Sequence, residues 1–353
     1  MQQASTSSGA AASPNTPQPG RGRARATTPL RATRGAARIA TWARLLLQAP
    51  PESVNWFITA WCNYACQFCF FTPKGYEGFE PGLEGLLISM AEARRLLEEL
   101  QAAGTRKLTL VGGEPTLVHA LPTLVGWMDD LGVAPMVVTN GTGLSTELLD
   151  QLAPHLRNPA HLGAIKLSLD SGVEATEVEL GRATVGAVRS GIGNHVRLIV
   201  RRAEEVRQRG VPLMVNTVVT SKNWQEDMHP VLRAVGPVVR WKVFQMLPIA
   251  GQNDEAWKSL AITREQFRAF VERHRDLRPI HEDNDAMTES YVMMDPLGRF
   301  FQNTRGRYTF SRPILEVGVR EALGDVGWRR SKFLARSGRY ALELPRTPER
   351  RFA

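Results

Sequence analysis

Residues 61–74 read WCNYACQFCFFTPK and hold every cysteine of the chain, Cys62, Cys66 and Cys69. Three thiolates spaced C-x3-C-x2-C suit three irons of a 4Fe-4S cube, whereas clusters that only carry electrons normally take four cysteines. One iron is then left open to a ligand from outside the protein. Other uses of the thiols fit this spacing less well. Zinc would want a fourth Cys or His close by, and the nearest downstream histidine is His119. Disulfides would leave one cysteine unpaired in a chain with no other mark of a small secreted scaffold. Buried free thiols have no reason to cluster this way. An oxygen-sensitive cluster implies a reducing compartment.

Outward from that loop, composition sets the bounds. The chain has 353 residues, 43% of them hydrophobic, enough for one large domain with extensions. No apolar run approaches bilayer-spanning length, so no transmembrane segment is expected. The net charge of +9 looks like a nucleic-acid signal, but its distribution argues otherwise. Residues 1–51 carry seven arginines, no lysine and no acid; without them, 37 basic residues face 35 acidic ones. The body is nearly neutral, and no nucleic-acid polymer is expected as a partner.

Residues 1 to about 36 are rich in Ser, Thr, Ala, Gly, Pro and Arg without hydrophobic periodicity, and read as disordered. Their Arg and Ser enrichment resembles an organelle transit peptide; the other reading is a solvated extension with no address. A cytoplasmic or an organellar location both stay open. Residues 37–48, AARIATWARLLL, put Ile39, Trp42, Ala43 and Leu46 at helical spacing, to meet a membrane, serve a transit peptide or pack on the domain.

From Val54 a strand, VNWFITAW, runs straight into the cysteines. The helix that follows has explicit limits. Ser89 and Glu92 make a capping box, Met90, Ala93, Leu96, Leu97 and Leu100 an apolar stripe, and Gly104 the stop. Strand Lys107–Val111 then enters Gly112-Gly113-Glu114-Pro115. The alternation continues with a helix near 120–131, strands Met136–Thr139 and Ala164–Asp170, a helix over 194–209, strand Val211–Val219, a helix near 225–235 and strand Pro237–Gln245. Strands separated by helices predict a parallel sheet with right-handed crossovers.

About six such units predict an α/β fold, a partial (β/α)6 barrel over 53–245, after a disordered extension over 1–52. Residues 246–353 read as a C-terminal cap that closes over the substrate. In it a helix opens at Thr263, boxed by Gln266, and runs to about Arg275, while Ser290–Asp295 and Arg299–Gln302 read as a hairpin. The cysteine loop, the GGEP turn and Thr139-Asn140-Gly141 all fall at carboxyl ends of strands, where such folds bind ligands.

The GGEP turn is the second chemical signal. Its glycines let backbone come close to a ligand, and its carbonyls and the Glu114 carboxylate accept from an ammonium group. It lies 43 residues after Cys69, one β/α unit on. The cysteine spacing, with Phe68 before the last cysteine, and this turn together resemble radical S-adenosylmethionine (SAM) enzymes, in which the SAM amino and carboxylate groups chelate the open iron. That likeness assigns Gly112, Gly113 and Glu114 to the SAM amine. Ser168 and Arg182 become candidates for the carboxylate, which asks for a hydroxyl and a guanidinium fork.

In VVRWKVFQ, Arg240 and Lys242 share one face of a strand, while Val239, Trp241 and Val243 take the other. Two cations aimed into a barrel are costly unless an anion meets them, so a polyanionic substrate is expected there, with Lys107 as a third charge. The alternative is that they stand at the solvated strand entry or pair with carboxylates.

The stretches SVNWFITAWCNYACQFCFFTPK, RKLTLVGGEPTL, RWKVFQML, RHRDLRPI, SYVMMD and ILEVGVREAL, in this order, resemble viperin and viperin-like enzymes over roughly residues 53–340. The resemblance implies a radical SAM enzyme that binds a pyrimidine nucleoside triphosphate, CTP ahead of UTP, beside SAM. Its 5'-deoxyadenosyl radical takes the ribose 4' hydrogen. Loss of the 3' hydroxyl as water and a one-electron reduction then give the 3'-deoxy-3',4'-didehydro nucleotide, a terminator of viral polymerases. By position, Cys62, Cys66 and Cys69 ligate the cluster, and Gly112 to Glu114, Ser168 and Arg182 hold SAM. Lys107, Arg240 and Lys242 face the triphosphate, and Asn55, Asn216 and Tyr291 fall on other pocket positions. Tyr291 is the catalytic candidate, closing over the nucleotide or helping to quench the radical. A flavodoxin- or reductase-like electron donor and the iron-sulfur assembly machinery are implied partners.

Two departures from that family stand out. Met214, in VPLMVNTVV, occupies the place of a phosphate-binding lysine in animal viperins, and one lost charge-assisted contact is worth on the order of 1–3 kcal/mol. The terminal RTPERRFA lacks the tryptophan that animal viperins present for cluster loading. Two rival functions remain to be weighed. One is a radical SAM enzyme for a different nucleotide or small-molecule substrate; a GTP-cyclising or peptide-modifying enzyme of that kind would be expected to carry auxiliary-cluster cysteines or a peptide-binding domain, and the chain has neither. A non-catalytic iron-sulfur interaction protein would keep its cellular effect without SAM turnover.

Overall fold

Alternation along the parallel strands turns one apolar face outward to the helices and gathers the charged side chains on the inner one. In Arg240–Gln245, Trp241 and Val243 are buried under helices while Arg240 and Lys242 take the opposite face. The same split places Val54, Trp56 and Ile58, Leu108 and Leu110, Ile165 and Leu167, and Val215 in one continuous core. Helices supply its other half, through Leu96, Leu97 and Leu100 from Met90–Ala102, Leu121 and Leu124 from Leu121–Asp130, and Ile199, Ala203 and Val206 from His195–Gln208. The expected capping box is present: Glu92 N–H donates to Ser89 Oγ (3.2 Å) and Ser89 N–H to Glu92 Oε2 (2.8 Å).

The computed structural model describes residues 51–340 and 342. The amphipathic stretch 37–48 and the terminal RTPERRFA lie outside the described residues. The strands are β1 (Ser53–Thr59), β2 (Lys107–Gly112), β3 (Ala134–Thr139), β4 (Ala164–Ser168), β5 (Leu213–Val219), β6 (Arg240–Gln245), β7 (Ile280–Glu282), β8 (Met293–Met294), β9 (Arg299–Thr304) and β10 (Arg307–Pro313). They form one ten-stranded sheet in the order β10-β9-β8-β1-β2-β3-β4-β5-β6-β7. β1 to β6 run parallel with helical crossovers, the arrangement the sequence predicts.

Residues beyond 245 add strands to both edges of this sheet. β7 pairs parallel with β6, and β8 pairs parallel with β1. The expected hairpin is the antiparallel β8–β9 pair, with Met293 opposite Phe301, and β10 extends it. Because β7 and β8 flank the parallel strands, Glu282 and Tyr291 are carried to opposite edges and meet across the interior: Tyr291 O–H donates to Glu282 Oε2 at 2.5 Å.

Some limits differ from expectation. A helix over Thr146–Leu156, capped by Ser145, fills the β3–β4 crossover where no helix is predicted. Thr142, Gly143 and the internal Pro154 break up its pattern in the sequence. The helix expected near 225–235 begins only at His229, because Pro230 sits in the first turn, where its missing N–H costs nothing. The helix from Thr263 ends at Arg273. Among the described residues no helix is long and apolar enough to cross a membrane.

Candidate functional site

Three neighbouring segments, besides Gln252, Asn253 and Tyr308, hold the cysteine loop in place. The first is the GGEP turn: Gly113 N–H donates to Thr59 O and Glu114 N–H to Trp61 O, both at 2.8 Å. A Cβ on Gly113 would stand 1.8 Å from Trp61 O, and one on Gly112, at φ +146°, 2.3 Å from Thr59 O. The close approach that demands glycine is thus to the cysteine loop itself, where the sequence reading put a ligand. The second segment is Leu180-Gly181-Arg182-Ala183. Ala65 N–H donates to Gly181 O (3.2 Å) and Gln67 N–H to Leu180 O (3.0 Å). Gly181, at φ +75°, has no room for a side chain, since a Cβ would meet Ala65 O at 2.2 Å. The third is Thr139–Thr142: Asn140 Nδ2 donates to Asn63 Oδ1, and Asn63 Nδ2 to Thr142 Oγ1, both at 2.9 Å.

Glu114, expected to receive the SAM amine, is buried and largely spoken for. Its Oε1 accepts from Thr116 N–H and Oγ1 and from Thr139 Oγ1 (2.6 Å), and its Oε2 from Asn140 N–H (2.7 Å). Burial pushes its carboxyl up against these donors. The side chain pins GGEP to the end of β3, and only the second lone pair of Oε2 is left for a ligand.

Arg182 lies beneath the loop, its guanidinium 5.3 Å from the centre of the Phe68 ring. Its Nε donates to Asp170 Oδ2, and Glu177 Oε2 is 3.9 Å away. No hydrogen bond to its two terminal nitrogens is present among the described residues. Glu177 Oε1 accepts the amides of Asp170 and Ser171, each at 2.9 Å, so the two carboxylates tie the β4 exit to the segment that cradles the cysteines. Asp170→Asn removes the charge partner and should cost about 1–3 kcal/mol. A melting curve of the variant matching wild type would contradict this role. Ser168 sits at the end of β4, its carbonyl accepting from His195 Nε2 (2.9 Å), while Tyr64 O–H donates to His195 Nδ1 (3.1 Å). Burial, then the Arg182 charge, push His195 down to about 3, so the ring stays neutral and fixes Tyr64 in the loop.

The thiols themselves fit a cluster. All three are free. Burial pushes Cys66 and Cys69 up more than the Arg182 charge pulls them down, so the thiolate forms need a metal charge beside them. A single zinc, with bonds of about 2.3 Å, would draw its ligand sulfurs to within about 4 Å of one another. Among the described residues the one set of metal-ligating atoms gathered within 4.8 Å is Asp227, His229 and His274, far from the cysteines in sequence. There His274 Nε2 accepts from Met228 N–H (3.0 Å) and Nδ1 donates to Phe270 O (2.8 Å), so its lone pair is in use as a structural tie.

The inner face of the sheet holds the second half of the site. Lys107 on β2 and Lys166 on β4 are buried, and Arg240 and Lys242 on β6 stand half-buried beside them. Arg336 reaches in from the C-terminal segment, its guanidinium 3.5 Å from the Tyr291 ring centre. The Tyr340 ring lies over both Lys107 (3.3 Å) and Arg240 (3.8 Å). Among the described residues one carboxylate, Glu282, answers these charges, 2.5 Å from Lys242 Nζ and 3.5 Å from Arg336 Nη1. Burial pushes its carboxyl up, but Lys242 and Arg336 outweigh that and hold it below the usual range. Lys242 Nζ donates to the Tyr291 oxygen at 3.0 Å. Asn216 points its Oδ1 inward, buried and without a hydrogen-bond partner among the described residues, and Asn55 faces the same interior from β1.

Lys107, Arg240, Lys242, Asn216 and Tyr291 are therefore brought together as the sequence reading expected. Lys166, Glu282, Arg336 and Tyr340 were missed. A separate groove of about 490 Å³, lined by Lys74, Tyr76, Arg299 and Tyr308, lies behind the cysteine loop and outside this chamber.

Comparison with known proteins agrees with the geometry. The family model of the radical SAM superfamily matches residues 56–235. A protein of Flammeovirga pacifica called S-adenosylmethionine-dependent nucleotide dehydratase is 38% identical over 298 residues, covering 82% of this chain and 95% of that one. A protein of the same name from Lacinutrix mariniflava is 37% identical, and there the match spans 58% of the relative's length. S-adenosylmethionine-dependent nucleotide dehydratase RSAD2 of Danio rerio is 33% identical over 82% of this chain and 78% of its own. Among solved structures, Streptococcus suis SuiB bound to S-adenosylmethionine superimposes with a TM-score of 0.56 at 14% identity, over 85% of this chain and 71% of that one. Native anSMEcpe with bound AdoMet gives the same score at 13% identity, over 81% and 83%. At these identities the structures speak for the fold alone. The cofactors of this superfamily are SAM and a 4Fe-4S cluster. With its barrel, its three-cysteine loop and relatives of this identity, the chain belongs to the radical SAM superfamily and, within it, to the S-adenosylmethionine-dependent nucleotide dehydratases.

Proposed function

We propose that this nucleotide dehydratase acts on a pyrimidine nucleoside triphosphate, CTP ahead of UTP, and releases the 3'-deoxy-3',4'-didehydro nucleotide, an antiviral chain terminator. The observation that carries the reading is the chamber in which Lys107, Lys166, Arg240, Lys242 and Arg336 face, among the described residues, a single carboxylate, Glu282. Buried and half-buried cations in such excess call for a polyanion to offset their desolvation. The choice of CTP rests on the resemblance to viperins, since no side chain described above reads a base.

Each group then has a task. Cys62, Cys66 and Cys69 would hold the cluster, which when bound supplies the electron that splits SAM into methionine and a 5'-deoxyadenosyl radical. The backbone of Gly112–Glu114 would receive the SAM amine, and the free terminal nitrogens of Arg182, with Ser168, its carboxylate. Lys107, Arg240 and Lys242 would grip the triphosphate, while Asn55 and the unpartnered Oδ1 of Asn216 would hydrogen-bond the nucleoside. Tyr291, between Lys242 and Glu282, closes that end of the chamber and is placed to pass a proton or hydrogen atom. A flavodoxin- or reductase-like donor would supply electrons and iron-sulfur assembly machinery the cluster; the compartment is either the cytoplasm or an organelle.

Anaerobic incubation of the reconstituted full chain with SAM, dithionite and one nucleoside triphosphate at a time tests this. The yield of 5'-deoxyadenosine should rise at least about tenfold with CTP, the step expected when substrate binding completes a radical site. Equal yields with CTP, UTP, GTP and no nucleotide would end the reading.

A further inference from the structure

Lys166 is the buried cation of the chamber that no family likeness assigns. It projects from β4, where the alternation of AIKLS turns Ile165 and Leu167 into the helical core and Lys166 inward. Its Nζ donates to Thr109 Oγ1 on β2 at 3.2 Å, its only hydrogen bond among the described residues. An ammonium carries three donors, so two N–H groups remain directed at the interior. The Glu282 carboxylate is already engaged by Lys242, Arg336 and the Tyr291 hydroxyl. A buried ammonium satisfied by one hydroxyl is an unstable arrangement unless an anion completes it.

The sheet register makes the position more specific. Lys166 pairs with Met214 on β5, and Met214 with Arg240 on β6, so the three form one row across the inner face. The middle of that row is apolar: Met214 is fully buried in a floor with Met136 and Ala164. Adjacent parallel strands lie about 4.8 Å apart, a shift a lysine stem spans easily. A cation on β4 thus reaches the volume that a cation on β5 would occupy. The neighbouring charges of Lys107, Lys242, Arg240 and Arg336 converge on the same volume from β2, β6 and the C-terminal segment, with Glu282 as the counter-charge from β7.

We propose that Lys166 is a phosphate ligand of the nucleotide site, providing from β4 the charge that β5 lacks at Met214; the inference rests on the triphosphate reading above. It makes Lys166 a determinant of how many phosphates the site prefers, and leaves SAM binding untouched.

Calorimetric titration of the cluster-loaded full chain under argon, with CTP, UTP and SAM as separate titrants, tests the proposal. K166M should weaken the preferred triphosphate by roughly 10- to 100-fold, the loss of one charge-assisted hydrogen bond, with SAM affinity unchanged. K166R, which keeps the charge, should stay within about tenfold of wild type. In turnover, the K166M loss should fall on KM and leave kcat at saturation within about threefold. Triphosphate binding by K166M equal to wild type overturns the inference, and so does equal weakening of SAM, which would make Lys166 a structural residue. Wild-type protein that binds SAM but neither triphosphate overturns the proposed function itself, a result distinct from either.

Discussion

Gly113→Ala should leave the purified protein colourless and inactive. The added methyl would have to occupy a point 1.8 Å from Trp61 O and 2.9 Å from Cys62 N, both backbone atoms of the cluster loop. Neither can retreat cheaply. Trp61 O accepts from Glu114 N–H, Glu114 is fixed by four donors, and the far side of the loop rests on Gly181. The strain is relieved by parting the loop from β2, which moves Cys62 away from Cys66 and Cys69. Iron should fall from about four per chain to near none, and turnover by at least about a thousandfold, because radical formation depends on the intact cube. The core beneath β1 and β2 is untouched, so far-UV circular dichroism should match wild type. Full iron loading in a folded G113A protein would show that the loop does not depend on this contact.

That contact also marks what the sequence could and could not convey. The cysteines and the GGEP turn are local patterns, and each was legible because its chemistry lies within a few residues. Arg240 and Lys242 were legible because two cations two residues apart on an otherwise apolar strand break the alternation that burial imposes. Lys166 breaks the same rule in AIKLS, but a single lysine in a strand is as easily a solvated edge, and only pairing through Met214 puts it in one row with Arg240. Glu282, Arg336 and Tyr340 carried no signal at all. They reach the chamber through β7 and the segment after β10, and nothing in their neighbours' spacing says which sheet edge they join. Glu114 was legible as important but not in its protein partners, since Thr116, Thr139 and Asn140 take up most of its acceptor capacity only once β2 and β3 are side by side. The helix over Thr146–Leu156 was hidden by its own Pro154.

The nucleotide-free protein should grow more stable as pH rises from 7 to 8.5, and triphosphate should abolish that rise. Burial, then Lys166, Lys242, Arg240 and Arg336, push Lys107 down to about 6; burial, then Lys242, Arg240 and Arg336, push Lys166 down to about 7. Both fall below the ordinary lysine value of 10.5, so between the folded and the unfolded values the unfolded chain binds the extra protons. Stability then increases with pH, by up to about 1.4 kcal/mol per pH unit for each lysine, and the full penalty is present below the folded values. His195, pushed down to about 3, acts in the same direction only below its ordinary 6.5, and the cysteine thiols act only near and above their ordinary 9.0, so neither governs this window. A triphosphate returns a negative charge to the chamber and restores both ammonium groups. Its binding must therefore take up protons, and the measured heat must change between phosphate and Tris buffers at pH 8. The K107M/K166M double variant removes both groups and leaves only Lys242, which burial also pushes down, so its stability should rise less steeply than wild type across the same window. A wild-type melting temperature that falls between pH 7 and 8.5, or a binding heat indifferent to buffer, would mean that the lysines stay charged without an anion and that Glu282 alone suffices to balance the chamber.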